Sequence, residues 1–339
     1  MSQATYRAVQ AVAPGRLELT EKPVVAPPRG HVRIRVEACG VCHSDSGTVD
    51  GTLPLQYPRV PGHEAVGVID MVGEGVEGYA LGQRVGVGFL AGSCGHCAMC
   101  RRGDLVNCVN QTFTGVQEDG GYAEVLVAKH SALATIPDAL KSRDAAPLLC
   151  AGLTTFSALR NAPARAGDRV AILGIGGLGH LAVQFARRMG FEVVAIGRGP
   201  GTKDLALRLG AHHYIDSTSV DVSAALNALG GAALVLATAS GGRGVAETIR
   251  GLQPRGCVIA LGGSPEPMEV ATRDIVFASR SIRGALTGDP ATADATMAFS
   301  LLTGVSPMIE TMPLAKAAEA YARMKSGDAK FRMVLTMGS

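Results

Sequence analysis

Four of the eight cysteines, Cys94, Cys97, Cys100 and Cys108, fall within fifteen residues and are spaced C-x2-C-x2-C-x7-C. Gly95, Gly103 and other turn-forming residues separate them. Such a loop can wrap four thiolates tetrahedrally around one Zn2+, although iron–sulfur clusters use similar spacings. His96 lies inside the loop, but four thiolates already close the tetrahedron, so it reads as a surface residue. A second set starts at Cys39-Gly-Val-Cys-His-Ser-Asp45 and continues at Pro61-Gly-His-Glu64. Cys39 and His63, with Cys150 far along the chain, offer two sulfurs and one imidazole, which leave a fourth tetrahedral position open, as a catalytic zinc requires. Spacing alone does not decide this, because a histidine after glycine serves equally in a turn or a core.

A third pattern is Arg169-Val-Ala-Ile-Leu-Gly-Ile-Gly-Gly-Leu-Gly179. Val170–Leu173 reads as a buried strand, Gly174, Gly176 and Gly179 form G-x-G-x-x-G, and apolar residues at helical spacing continue to Met189. Strand, glycine turn and helix are the context of a dinucleotide site, with a pyrophosphate on the helix N-terminus. The next strand, Glu192–Ile196, ends at Gly197, where an acidic residue would hold the ribose hydroxyls of NAD. Arg198 follows, with Lys203 close behind. Without the carboxylate a 2′-phosphate is not repelled, and Arg198 can pair with it, which favours NADP over NAD as the alternative.

The strands and helices around these groups follow from the same patterns. Leu234–Ala237 and Val258–Leu261 read as strands, and Lys203–Leu209 and Gly244–Leu252 as helices, so the later chain is a doubly wound parallel sheet. A length of 339 residues suits two domains. Apolar residues make up 47% and charged residues 18%, an ordinary globular balance. A net charge of +3, scattered basic residues and the absence of Trp give no footprint for nucleic acid or a membrane surface. The longest apolar stretch, Val170–Ala186, is broken by glycines, His180 and Gln184 and does not span a bilayer. The first residues lack the apolar core of a secretion signal, so a cytoplasmic location is expected, where clustered thiols serve metals rather than disulfides. Cys42 and Cys257 read as buried thiols, His212 and His213 as structural, and the methionines near the C-terminus as packing residues.

Taken together, these motifs resemble the zinc-dependent alcohol dehydrogenases of the medium-chain dehydrogenase/reductase superfamily, in the branch of the bacterial, yeast and cinnamyl-type enzymes. The resemblance covers essentially the whole chain and includes Leu149-Cys-Ala-Gly-Leu-Thr154. It implies an α/β protein with a mostly-β GroES-like catalytic domain at 1–150, a Rossmann coenzyme domain at 151–285, a return of 286–339 to the first, and an active site in the cleft between them. It implies that alcohols and aldehydes or ketones are interconverted by hydride transfer to or from NAD(P), with zinc polarising the substrate oxygen. Two Zn2+ are expected per chain, one structural on the four-cysteine loop and one catalytic on Cys39, His63 and Cys150, with Glu64 as a transient ligand. Asp45 would orient His63 and Ser44 would relay the substrate proton. The coenzyme would meet Gly174, Gly176, Gly177, Leu178, Gly179, Thr154, Arg198 and Lys203, with His43 and Arg332 near its pyrophosphate. The partners implied are a small alcohol or aldehyde and further copies of the chain, as a tetramer or dimer. Two departures stand out. Gly47 replaces the histidine that ends the proton relay in many relatives, and the usual pocket Trp is absent, with Phe89 near that place, which suggests a roomier pocket.

Overall fold

In the computed structural model, which describes residues 4–338, the chain divides into two compact units, one formed by the chain up to Leu153 and from Gly288 onward, the other by Thr154–Thr287. The strands in chain order are β1 Thr5–Ala13, β2 Arg16–Pro23, β3 His31–Val41, β4 Ala65–Val72, β5 Arg84–Val87, β6 Val125–Lys129, β7 Leu133–Thr135, β8 Arg169–Leu173, β9 Glu192–Gly197, β10 His213–Asp216, β11 Ala232–Ala237, β12 Leu252–Ala260, β13 Ser281–Gly284, β14 Ile309–Pro313 and β15 Arg332–Thr336.

In the first unit β1 and β2 form a hairpin, and a seven-stranded sheet runs β14-β15-β3-β4-β5-β7 with β6 also paired to β3. Apart from the parallel β14–β15 pair, its ladders are antiparallel. β3 is the hub. Its pairing with β4 sets Cys39 opposite Ala65, and its pairing with β15 sets Met333 opposite Val41. The ends of three strands distant in sequence therefore meet where the Cys39–Asp45 and Pro61–Glu64 motifs lie. Val32, Ile34, Val36, Ile69, Val85 and Tyr122 are among the buried side chains of this core.

In the second unit six strands run β10-β9-β8-β11-β12-β13, all parallel. Counted from β8, this is the order 3-2-1-4-5-6 of the doubly wound Rossmann sheet. Its central strands are covered on both faces, and every residue of β11 is buried, which is why they read as continuous apolar runs. The expected helix Gly244–Leu252 is shorter in the structure. It spans Gly242–Ala246, a 3-10 turn follows at Ile249–Gly251, and Leu252 already belongs to β12. A Cβ at Gly251 would lie 2.7 Å from Leu226 Cδ1 and 2.9 Å from Leu226 Cβ, so the chain entering β12 runs close against Leu226.

Candidate active site

Cys42, not Cys39, joins His63 and Cys150. One donor atom each from Cys42, His63, Glu64 and Cys150 lie within 4.8 Å of one another. The correction has a simple cause. Side chains alternate along extended chain, so residues three apart point to opposite faces. Cys39 lies within β3 and is completely buried in the core of the first unit, its sulfur within 3 Å of where a Cβ at Gly62 or Gly121 would stand. Cys42 is the first residue past the strand, still extended at φ −113° and ψ 151°, and it begins the short 3-10 turn His43–Asp45. Its thiol therefore faces the other way, 3.8 Å from Cys150 Sγ. Two thiolates held tetrahedrally at about 2.3 Å from one Zn2+ would stand about 3.8 Å apart.

His63 is buried, and its two ring nitrogens have different surroundings. Nδ1 lies 2.8 Å from Asp45 Oδ1, and Nε2 has no hydrogen-bond partner. Asp45 Oδ2 accepts from the Cys42 backbone N–H at 2.9 Å and from the Tyr122 hydroxyl at 2.8 Å. A group accepting this many hydrogen bonds acts as a carboxylate and holds the Nδ1 proton of His63. Burial lowers the imidazole, but Asp45 and Cys42 outweigh it and raise it well above its usual range. A buried ring nitrogen without a hydrogen-bond partner, beside two thiols, is what a metal ion would satisfy. Glu64, fully buried, receives the Arg332 guanidinium on Oε1 and leaves Oε2 without a partner. Gly40 is needed for this placement: a Cβ there would lie 1.8 Å from Glu64 Oε2.

The electrostatics match this crowding. Burial pushes the Glu64 carboxyl up to about 8 although Arg332 pulls against it. The hydrogen bond with Cys150 holds the Cys42 thiol well below its usual range, with Arg332 assisting, and pushes Cys150 up. Cys42 is thus the more readily ionised of the two, and the thiolate is the form that binds metal.

Around the cluster, His43 and Ser44 are exposed on the turn that Cys42 starts. Gly47 is buried, and a Cβ there would lie 2.6 Å from Leu53 Cδ1, so Leu53 fills the space of the absent relay histidine. Phe89 meets the His63 ring edge-on at 5.0 Å and stacks on Phe113 at 4.6 Å. Cys42, Tyr122 and Phe113 were not readable as site residues from the motifs. The parity argument could have exchanged Cys42 for Cys39, whereas nothing local marks the other two.

The four-cysteine loop forms the second cluster. The sulfurs of Cys94, Cys97, Cys100 and Cys108 lie within 4.8 Å of one another. Backbone N–H groups point at them: Cys97 N to Cys94 Sγ at 3.4 Å, Cys100 N to Cys97 Sγ at 3.5 Å and Cys94 N to Cys108 Sγ at 3.5 Å. Such bonds favour thiolates, and Cys94 is held at about 5 by a hydrogen bond from Asn110 and by backbone N–H groups. The donor set fits a tetrahedral zinc.

In the second unit the glycine turn follows β8 at the point where the strand order reverses. Gly174 has φ +93°, Gly179 lies so close that a Cβ would fall 1.9 Å from Gly174 O, and Gly176 faces open space. These are the three roles of a dinucleotide turn: a tight bend, close helix packing and a backbone a pyrophosphate can approach. Gly177 and Leu178 complete the turn before the helix Gly179–Arg188. Thr154 is buried with Oγ1 3.4 Å from Thr287 Oγ1. Arg198 and Lys203 are exposed after β9. A Cβ at Gly197 would lie 2.2 Å from the Tyr214 hydroxyl, so Tyr214 fills the place where an acidic side chain would stand.

Comparison with known proteins agrees with both halves. An alcohol dehydrogenase GroES-like domain matches residues 28–138 and a zinc-binding dehydrogenase domain matches residues 177–302. The chain belongs to the zinc-type medium-chain dehydrogenase/reductase family and is an enzyme of NAD(P)-dependent alcohol and aldehyde interconversion. It is 38% identical to alcohol dehydrogenase notN of Aspergillus sp. (strain MF297-2) over 99% of each chain. It is 35% identical to NADP-dependent alcohol dehydrogenase C of Mycobacterium bovis (strain ATCC BAA-935 / AF2122/97), again over 99% of each. Among solved structures, a cinnamyl alcohol dehydrogenase from Sorghum bicolor superposes with a TM-score of 0.90 at 31% identity over 98% of each chain. No helix of the described residues is long and apolar enough to cross a membrane.

Proposed function

We propose that the enzyme works with one zinc held by Cys42, His63 and Cys150, a second on the four-cysteine loop, and NADP as the hydride carrier. The observation that carries this reading is the buried cluster in which His63 Nε2 lacks a partner while two thiols stand 3.8 Å apart beside it. Bound zinc supplies Lewis acidity that polarises the substrate oxygen, and the hydride chemistry is that of the nicotinamide. Asp45 keeps the His63 proton on Nδ1. Arg332 holds Glu64 by Oε1, and the free Oε2 would be a further oxygen able to hold the metal. Ser44 takes the proton of the substrate hydroxyl. With Leu53 in the place of a relay histidine, Ser44 is exposed and passes that proton to water. Phe89, backed by Phe113, walls the space beside His63 and, with no Trp narrowing it, suits substrates larger than small primary alcohols.

Of the coenzyme contacts, the glycine turn takes the pyrophosphate, Thr154 the nicotinamide, and His43 and Arg332 the diphosphate charge. Arg198, with Lys203, pairs with a 2′-phosphate. The filled space at Gly197 and the NADP-dependent Mycobacterium relative support NADP. We assign the enzyme to the cytoplasm, where its eight free thiols stay reduced, and to a homo-oligomer. The outer edge of β13 is unpaired among the described residues, and Val276 and Phe277 nearby are 68% and 88% exposed.

Metal analysis together with kcat/KM for NADP+ and NAD+ over a panel of aliphatic and aromatic alcohols and aldehydes tests this reading. Two zincs per chain and a preference for NADP+ are expected. Arg198→Ala should cost about tenfold with NADP+, the scale of one charge-assisted hydrogen bond, and leave NAD+ kinetics unchanged. A preference for NAD+ in the parent enzyme would refute the coenzyme assignment.

A further inference from the structure

Tyr122 belongs to a loop stitched to the segment that carries His63. Gly120 N donates to Val60 O at 2.8 Å, Gly121 N to Gly62 O at 2.8 Å and Tyr122 N to Pro61 O at 3.0 Å. The Tyr122 ring lies directly on Gly62, where φ is +98° and a Cβ would fall 2.3 Å from ring atom Cδ1. The side chain is fully buried, and its hydroxyl donates to Asp45 Oδ2 at 2.8 Å. Asp45 Oδ2 also accepts the Cys42 N–H, and Asp45 Oδ1 faces His63 Nδ1. One phenol thus joins three separate segments: the turn that carries Cys42, the loop that carries His63, and its own.

We propose that Tyr122 is a positioning residue for the zinc of the Cys42–His63–Cys150 cluster, acting through Asp45. With Oδ2 held by two donors, the carboxylate cannot rotate about its Cβ–Cγ bond, and Oδ1 stays aimed at His63 Nδ1. The ring is held with Nδ1 toward Asp45 and Nε2 toward the two thiols before metal arrives. The inference rests on the zinc reading above and extends it to a residue that touches neither metal nor substrate. Asp45, one step removed from the ligand His63, is of the kind worth about 10–100-fold in metal affinity, and Tyr122, one step further out, acts at the lower end of that range.

Tyr122→Phe keeps the ring on Gly62 and removes only the hydroxyl. Zinc affinities by chelator competition should show the cluster site weakened about tenfold, with the four-cysteine site and the KM for coenzyme unchanged. Imidazole 15N NMR of the zinc-loaded protein should show His63 protonated on Nδ1 and coordinated through Nε2 in the parent, with the Nδ1 proton exchanging faster in the variant. In an Asp45→Ala background the same substitution should have no further effect on zinc. A cluster-site affinity within twofold of the parent, whatever the Tm, overturns the proposal, as does an equal loss in the Asp45→Ala background. If Tyr122→Phe does not fold, the zinc-loaded parent spectrum decides, since coordination through Nδ1 overturns the mechanism and a slowly exchanging Nδ1 proton with a slowly exchanging Tyr122 hydroxyl supports it. A parent chain that holds zinc only on the four-cysteine loop overturns the zinc reading itself, and this inference with it.

Discussion

Cys39 and Cys42 differ by three positions and by everything that matters chemically. Cys39 is wrapped by the core, with Gly62 and Gly121 packed against its sulfur, while Cys42 stands beside Cys150, His63 and Glu64. Cys42→Ser should therefore release one zinc per chain and reduce turnover to background. Cys39→Ala should keep both zincs and cost only about 1 kcal/mol of stability, the usual price of a small core substitution. Metal analysis of the two purified variants separates these outcomes, and loss of zinc from Cys39→Ala would count against the cluster. Gly40 makes a second case at this scale. Its missing Cβ leaves room for Glu64 Oε2, so Gly40→Ala must displace a buried carboxylate that is bound to Arg332. A loss of about 1–3 kcal/mol is expected, read as a lower denaturant midpoint.

At the scale of elements, the site depends on loops pinned by charges as much as on strands. Asp119 lies at the start of the loop that delivers Tyr122, and it binds Lys22 at 2.6 Å, Arg59 at 3.1 Å and the Val60 N–H at 3.1 Å. Partial burial pushes its carboxyl up, but the hydrogen bond from Lys22, the Val60 N–H and the nearby Arg59 outweigh it and hold it below the ordinary range. A depressed carboxyl stabilises the fold fully above its unfolded pKa of about 3.9, and that contribution disappears as pH falls through the lower folded value. Asp119→Asn should thus lower Tm at about pH 7, and the gap to the parent should close in melts below about pH 3. A gap that persists in acid would show that the charge is not what pins the loop. The Cys94–Cys108 loop, with only the short helix Ala98–Arg101 of its own, is the opposite case. Its order is expected to come from metal, so chelation should raise its susceptibility to proteolysis while both sheets persist in circular dichroism.

For the whole molecule, each of the two units has its own core and its own chemistry, thiols and imidazole on an antiparallel sheet, a glycine turn on a parallel one. Sedimentation should give a multiple of the single-chain mass, and Phe277→Lys beside the open edge of β13 should shift it toward a smaller species. An unchanged mass would move the contact elsewhere. The parallel sheet, the glycine turn and the four-cysteine loop were legible in the sequence because their signals are local: a run of apolar residues, glycines at fixed offsets, thiols within one loop. The cluster around His63 was legible only as residue types. Which cysteine serves it depends on where β3 ends and which face the chain presents there. The Arg332–Glu64 pair joins residues 268 apart, and the Tyr122–Asp45 bond joins residues 77 apart. Local spacing carries no information about such pairs, since β15 meets β3, and loop meets loop, only once the sheet has closed. Residue types and local spacing set which chemistry the chain can hold, and closure of the sheet sets which side chains face one another to hold it.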